Sequence, residues 1–140
     1  MGVIYVPVLD VMYYGSETGG AWRSSEGLTI ELPEPKPAGA PYRIVASRSH
    51  MSDETRDFIA RLEQEHGRTE LVSSGSSIKI CMVAEGSADI YPRFAPTMEW
   101  DTAAGHAIAR AAGKEVYQPD NTTPLRYNKE DLLNPYFIVR

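Results

Sequence analysis

The run Trp100-Asp101-Thr102-Ala103-Ala104-Gly105-His106-Ala107 puts one carboxylate after a large aromatic and ahead of small residues, with no further full charge until Arg110. Two chemistries are open to Asp101. It can cap a helix by accepting bonds from the N–H groups two or three residues on. Or it can turn outward and hold a cation in a site floored by that helix. Two further stretches carry polar groups that suit an anion: Ser47-Arg48-Ser49-His50, and Ser73-Ser74-Gly75-Ser76-Ser77 followed by Lys79. A third approach runs from Arg93 to Asp101 itself. Free N–H groups at a helix start attract phosphate, and arginine can grip it with two donors. Each feature also has a plain structural use. Ser76 or Ser77 can cap a helix, His50 can be a surface hydrogen-bonding group, and Arg93 can pair with a surface acid. Lys79 falls in the first turn of its helix, where a cation opposes the dipole, and a bound anion would compensate.

These groups need elements to hold them, and the pattern supplies strand-to-helix junctions. Residues 2–14 alternate around Pro7 and Asp10 and read as two strands joined by a turn. Residues 19–23 and 28–31 read as two more strands, and the four look antiparallel with nothing in the chain to cover them. Residues 33–41 hold four prolines, which excludes a helix or central strand and marks a linker. Beyond it, strands at 42–46, 69–72 and 89–91 alternate with three helices. The first opens on Ser52-Asp53-Glu54, buries Phe58, Ile59 and Leu62, and ends at Gly67. The second, capped by Ser76 or Ser77, runs through Ala84 and is apolar on most faces. The third spans 101–112 and closes at Gly113. Short strands at 115–117, 125–127 and 137–139 finish the chain. The expected class is α/β, α+β overall. The expected division is antiparallel strands over 1–32, a linker over 33–41 and an α/β domain over 42–140. In such sheets ligands bind outside the carboxyl ends of the strands, where the three junctions would meet.

Composition sets the outer limits. With 140 residues, 42% hydrophobic and 24% charged, the chain can bury a real core. A net charge of −5 argues against a nucleic-acid polymer as partner. Cys81, the only cysteine, lies in an apolar run and reads as core. No apolar run reaches the roughly 18 residues that span a bilayer, and the first ten residues lack a signal-peptide pattern. The expected setting is cytoplasmic.

The runs 75–86, Ala88-Asp89-Ile90-Tyr91-Pro92-Arg93-Phe94 and 100–107 resemble the C-terminal half of the 3'(2'),5'-bisphosphate nucleotidases, closest to the bacterial CysQ type. These belong to the magnesium-dependent superfamily that includes inositol monophosphatase. The resemblance extends to residues 2–8, to the 47–50 loop and to Leu132-Leu133-Asn134-Pro135. It implies the C-terminal α/β layer of the inositol-monophosphatase-like fold, preceded by strands of the N-terminal layer. It implies Asp101 as catalytic magnesium ligand beside the substrate phosphate, and His50, Ser76, Ser77, Lys79 and Arg93 as holders of the nucleotide. The substrate implied is 3'-phosphoadenosine 5'-phosphate, cleaved to AMP and phosphate in sulfur and nucleotide metabolism. The family's Asp-Pro-x-Asp-Gly-Thr motif and paired glutamates do not occur in this chain. The expectation is therefore a C-terminal portion that is inactive alone, most metal ligands lying elsewhere. Two other activities stay open: a nucleotide-binding or interaction module without catalysis, and inositol monophosphatase activity. The uncovered strands 2–31 suggest association, as a homodimer or with another partner.

Overall fold

The computed structural model describes residues 1–47 and 51–140. Arg48, Ser49 and His50 therefore lie outside the described residues. The front sheet is a meander of β1 (Gly2–Val6), β2 (Val11–Ser16), β3 (Gly20–Ser25) and β4 (Leu28–Glu31), each antiparallel to the next. Its alternation is clean. Tyr13 and Gly15 point inward from β2, while Met12 lies on the other face opposite Tyr5. No turn along the meander needs a crossover, so adjacent strands in sequence are adjacent in space.

The second sheet starts with β5 (Tyr42–Ala46) and β6 (Thr69–Ser73), parallel and joined through α1 (Asp53–His66). A parallel bridge between Ile44 and Ile90 attaches β7 (Tyr91–Arg93) beyond β5. The chain end, β9 (Phe137–Val139), lies antiparallel to β7, with β8 (Val116–Tyr117) outside it. Ile44, Val45 and Ala46 are buried in succession because this strand is covered on both faces. On one face α1 packs Ile59 and Leu62 against Ile44, Ile90 and Ile138. Its start is fixed by Ser52, whose hydroxyl accepts the Thr55 N–H at 3.2 Å. The other face is covered by α2 (Ile78–Glu85) and α3 (Glu99–Ala111).

The same pair of helices reaches the front sheet, and this corrects the expectation that nothing in the chain covers those strands. Helix α3 crosses β1 and β2 so closely that a Cβ on Gly2 would lie 2.1 Å from the Ala104 carbonyl oxygen, and one on Gly15 would lie 2.9 Å from Ala111 Cβ. On its other side, a Cβ on Gly105 would meet Ile80 of α2 at 3.0 Å. The small residues of α3 are therefore what let one helix lie between a sheet and a helix. Val6, Tyr13, Ala21 and Leu32 join Val45, Ile80, Ile108 and Phe137 in one core across the proline-rich segment. The layers run front sheet, α2 with α3, second sheet, α1. Tyr13 seals the contact by donating its hydroxyl at 2.9 Å to Glu85, which also faces Arg23 of β3.

Several local expectations shift. Strand β7 begins two residues later than expected because Asp89 is spent as an anchor, accepting the Arg43 N–H at 2.7 Å and the Lys36 ammonium. Residues 125–127 form no ladder; one bridge, Tyr117 with Pro124, precedes them, and Tyr127 instead sends its hydroxyl to His106. Neither Ser76 nor Ser77 caps α2 with its side chain: the capping position, Ser77, has helical dihedral angles and makes no such bond. Helix α3 starts at Glu99, two residues earlier than expected. Cys81 is fully buried, as expected of core, and burial pushes its thiol up to about 12.

Candidate anion site at the meeting of two helix starts

The carboxyl end of β6 turns into α2 through 74–77. To make that turn Ser76 takes φ of +50°, a left-handed conformation that a residue with a Cβ adopts at some cost. The carboxyl end of β7 runs through 94–98 into α3. Both helix starts, together with Ser47 at the end of β5, border one cleft of about 430 Å³. Ser76, Ser77, Lys79, Arg93 and Asp101 all line it. The structure thus brings together five of the six site residues expected from the sequence; the sixth, His50, lies outside the described residues.

Lys79 is 3% exposed yet has no carboxylate partner among the described residues. Its ammonium donates to the carbonyl oxygens of Ser74 at 3.2 Å and Ser76 at 3.1 Å and lies 5.2 Å from the centre of the Tyr91 ring. Burial, and then the nearby Arg93 guanidinium, lower its pKa to about 8. The surface pairing open to Arg93 is not realised. Its one hydrogen bond among the described residues is a long one to Pro96 O, at 3.4 Å, and its buried Nε has no partner there. Two cations therefore share a cleft with two serines and the uncapped start of α2, and among the described residues neither forms an ion pair with an acid. The hydroxyl of Tyr91, beneath Lys79, is itself held up to about 12 by burial.

Asp101 bonds backward at the start of α3 and also borders the cleft. It sits at the third residue of α3, not ahead of it, and its Oδ2 accepts the Met98 N–H at 2.8 Å, reaching backward where forward capping was one expectation. At the same time it lines the cleft. A divalent cation needs several oxygen ligands. Among the described residues no group of three or more His, Cys, Asp or Glu side chains could hold one, and Asp101 is the sole carboxylate on the cleft wall. The residues present fit one ligand of such a site and not the site.

Sequence reasoning passed over Tyr91, Thr97 and Thr102, which also line the cleft. Tyr91 was legible by alternation, two residues before Arg93 on the same face of β7. Thr97 had no signal, since its place depends on how the 94–98 loop folds back. Among the described residues, no helix is long and apolar enough to cross a membrane.

Residues 1–139 match the model of the inositol monophosphatase family. The chain belongs to the inositol monophosphatase family. Within it, the chain is 46% identical over 139 residues to the 3'(2'),5'-bisphosphate nucleotidase CysQ of Salmonella typhimurium, covering 99% of this chain and 54% of the relative. It is 44% identical over 140 residues to CysQ of Escherichia coli K12, with the same coverage. Among solved structures, CysQ from Bacteroides thetaiotaomicron superposes with a TM-score of 0.92 at 57% identity, covering 99% of this chain and 56% of that one. Inositol monophosphatase II of Staphylococcus aureus shares the fold at a TM-score of 0.70 and 18% identity, over 98% of this chain and 50% of that one. The chain spans about half the length of the curated relatives it matches.

Proposed function

We propose that this chain is the C-terminal part of a bisphosphate nucleotidase of the CysQ type, and that its cleft holds the phosphates of 3'-phosphoadenosine 5'-phosphate. The observation that carries this reading is the pair Lys79 and Arg93, sharing one cleft with no acid bonded to either among the described residues. Buried charge of one sign without a partner is costly, and a bound dianion removes that cost. The relatives named CysQ, at 44–46% identity, supply the substrate class. In this reading Ser76, Ser77, Lys79 and Arg93, with His50 alongside, hold the nucleotide. Asp101 stands beside the phosphate to be cleaved and offers one ligand to magnesium. The remaining ligands come from outside this chain.

The division of labour has a measurable consequence. The chain alone binds the nucleotide and releases no phosphate. Joined to the N-terminal half of a CysQ relative, it releases phosphate from 3'-phosphoadenosine 5'-phosphate in the presence of magnesium. Isothermal calorimetry with the nucleotide, followed by a phosphate-release assay on the joined protein, tests both statements. Absence of binding to the isolated chain sinks the anion site. Release from inositol monophosphate with the nucleotide left intact moves the assignment to inositol monophosphatase activity. A second reading, a binding module without catalysis, draws on the lone carboxylate in the cleft. It is favoured if the joined protein binds the nucleotide in EDTA and never turns it over.

A further inference from the structure

Below about pH 8 Lys79 carries a full charge in a buried place that offers it no carboxylate among the described residues. Its ammonium donates to the carbonyl oxygens of Ser74 and Ser76. A neutral amine still has two N–H groups and can make both bonds. Those bonds fix where the nitrogen sits without requiring the charge. Of the charged groups that border the cleft, Arg93 on β7 repels it, and Asp101 on α3 is bonded instead to the Met98 N–H. The neighbour that does favour the ammonium over the amine is the ring of Tyr91, whose centre lies 5.2 Å from Nζ. An aromatic face attracts a cation through its quadrupole, most strongly where water is excluded.

The ring is built into the sheet. Tyr91 is 4% exposed and pairs with Val139 of β9. Phe137, 1% exposed, stands nearly perpendicular to it with ring centres 5.7 Å apart and keeps it from turning. The face under Lys79 is therefore in place before any anion arrives. A carboxylate in that position would neutralise the lysine and repel an incoming phosphate. A ring carries no net charge and does neither. We infer that Tyr91 is the positioning residue that keeps Lys79 charged in its buried place, so that the cation stands ready for an anion with no acid competing for it. The inference rests on the proposed reading of the cleft as an anion site, and it assigns the Tyr91 hydroxyl no role.

The test changes residue 91 in three ways. Tyr91→Phe keeps the ring face. A ring-trifluorinated phenylalanine at the same position keeps the shape and draws electron density off the face. Tyr91→Leu removes the ring. The titration of Lys79 is followed through its ¹³Cε resonance, assigned by its loss in Lys79→Met. Calorimetry gives orthophosphate affinity at pH 6 and pH 8.5. With Tyr91→Phe, Lys79 titrates as in the native chain. With the fluorinated ring and with leucine it titrates about one pH unit lower, the worth of a desolvated cation–π contact. Those two chains then bind orthophosphate as the native chain does at pH 6, where the lysine is charged in all of them. At pH 8.5 they bind it about five- to tenfold more weakly. Equal titration in the Tyr91→Phe and fluorinated chains overturns the inference, whether or not Tyr91→Leu folds. So does an affinity loss as large at pH 6 as at pH 8.5, the result of a lysine that is merely displaced. If the native chain binds no orthophosphate while the order of titrations holds, the anion reading fails and the hold of Tyr91 on the charge stands.

Discussion

Lys79 is the residue whose chemistry is most exposed to test. Its pKa of about 8 is below the ordinary lysine value because burial disfavours the charge and Arg93 repels it. Two opposite pH effects follow. Below about 8 the ammonium is protonated and attracts a phosphate dianion, so affinity falls as pH rises through 8. Folding responds with the other sign. Between about 8 and 10 the unfolded chain holds a proton on this lysine that the native chain has released, so stability gained from this group rises with pH. Lys79→Met separates the two: thermal midpoint unchanged or higher at pH 7, and phosphate affinity weaker by about ten- to a hundredfold, the worth of a charged hydrogen bond. Calorimetry with orthophosphate at pH 7 and pH 9.5, beside a thermal scan, checks both. Native affinity in the variant would place the anion elsewhere. Arg93→Ala is expected to weaken binding by a similar factor. The types and rough places of these residues were legible in the sequence. That neither pairs with an acid among the described residues was not, since it depends on which loops fold back over the cleft.

At the scale of elements, α3 is the piece on which most else depends. It lies between the front sheet and α2 only because its contact positions are small, and glycine faces it from the sheet at Gly2 and Gly15. Gly105→Val pushes Ile80 aside and is expected to destabilise the fold by about 1–3 kcal/mol, the usual cost of overpacking. Gly75→Ala, where no atom approaches within 4 Å and φ is not positive, is expected to leave stability within about 0.5 kcal/mol. Urea denaturation of the two variants gives the comparison, and equal midpoints would contradict the close packing of α3 on α2. The alanine-rich sequence announced a helix of small residues. It did not say that a sheet and a second helix would both pack on it. The serines before α2 look like caps in sequence, and they fail as caps because Ser77 is already helical and Ser76 is spent on the left-handed turn.

For the whole molecule, the decisive surface is the outer face of the front sheet. Its inner face is sealed by α3, but Val3, Tyr5 and Met12 are each at least 40% exposed, with Tyr14 opposite Val3 and Trp22 opposite Tyr14. Apolar neighbours on an open sheet face favour association, and β1 is an edge strand of that sheet. The isolated chain is expected to self-associate through this face as concentration rises. Tyr5→Lys together with Met12→Lys shifts it to monomer with the fold intact. Sedimentation velocity across a concentration series reads the result. A native chain monomeric throughout the series would remove this surface as an interface. Hydrogen exchange should show β2, the strand between β1 and β3 and covered by α3, as slow as the second sheet, because the two share one core.

The sequence by itself determined the elements and the chemistry available. Alternation, proline, glycine and caps placed most strands and helices, because those signals act over a few residues. The stretches 47–50, 73–79 and 93–101 suggested an anion site for the same reason: each reads as a local approach from strand to helix. Tertiary structure alone decided three things. It set β9 between β7 and β8, and it left the segment before 125–127 a single bridge to the outer edge of β8. It carried the core across the proline-rich segment by laying α3 on the front sheet. And it brought Asn134 onto Met98 and Thr102, on either side of Asp101. Each is a contact between residues far apart in the chain, and such contacts are fixed by which surfaces fill one another's space, a property that no short window of sequence contains.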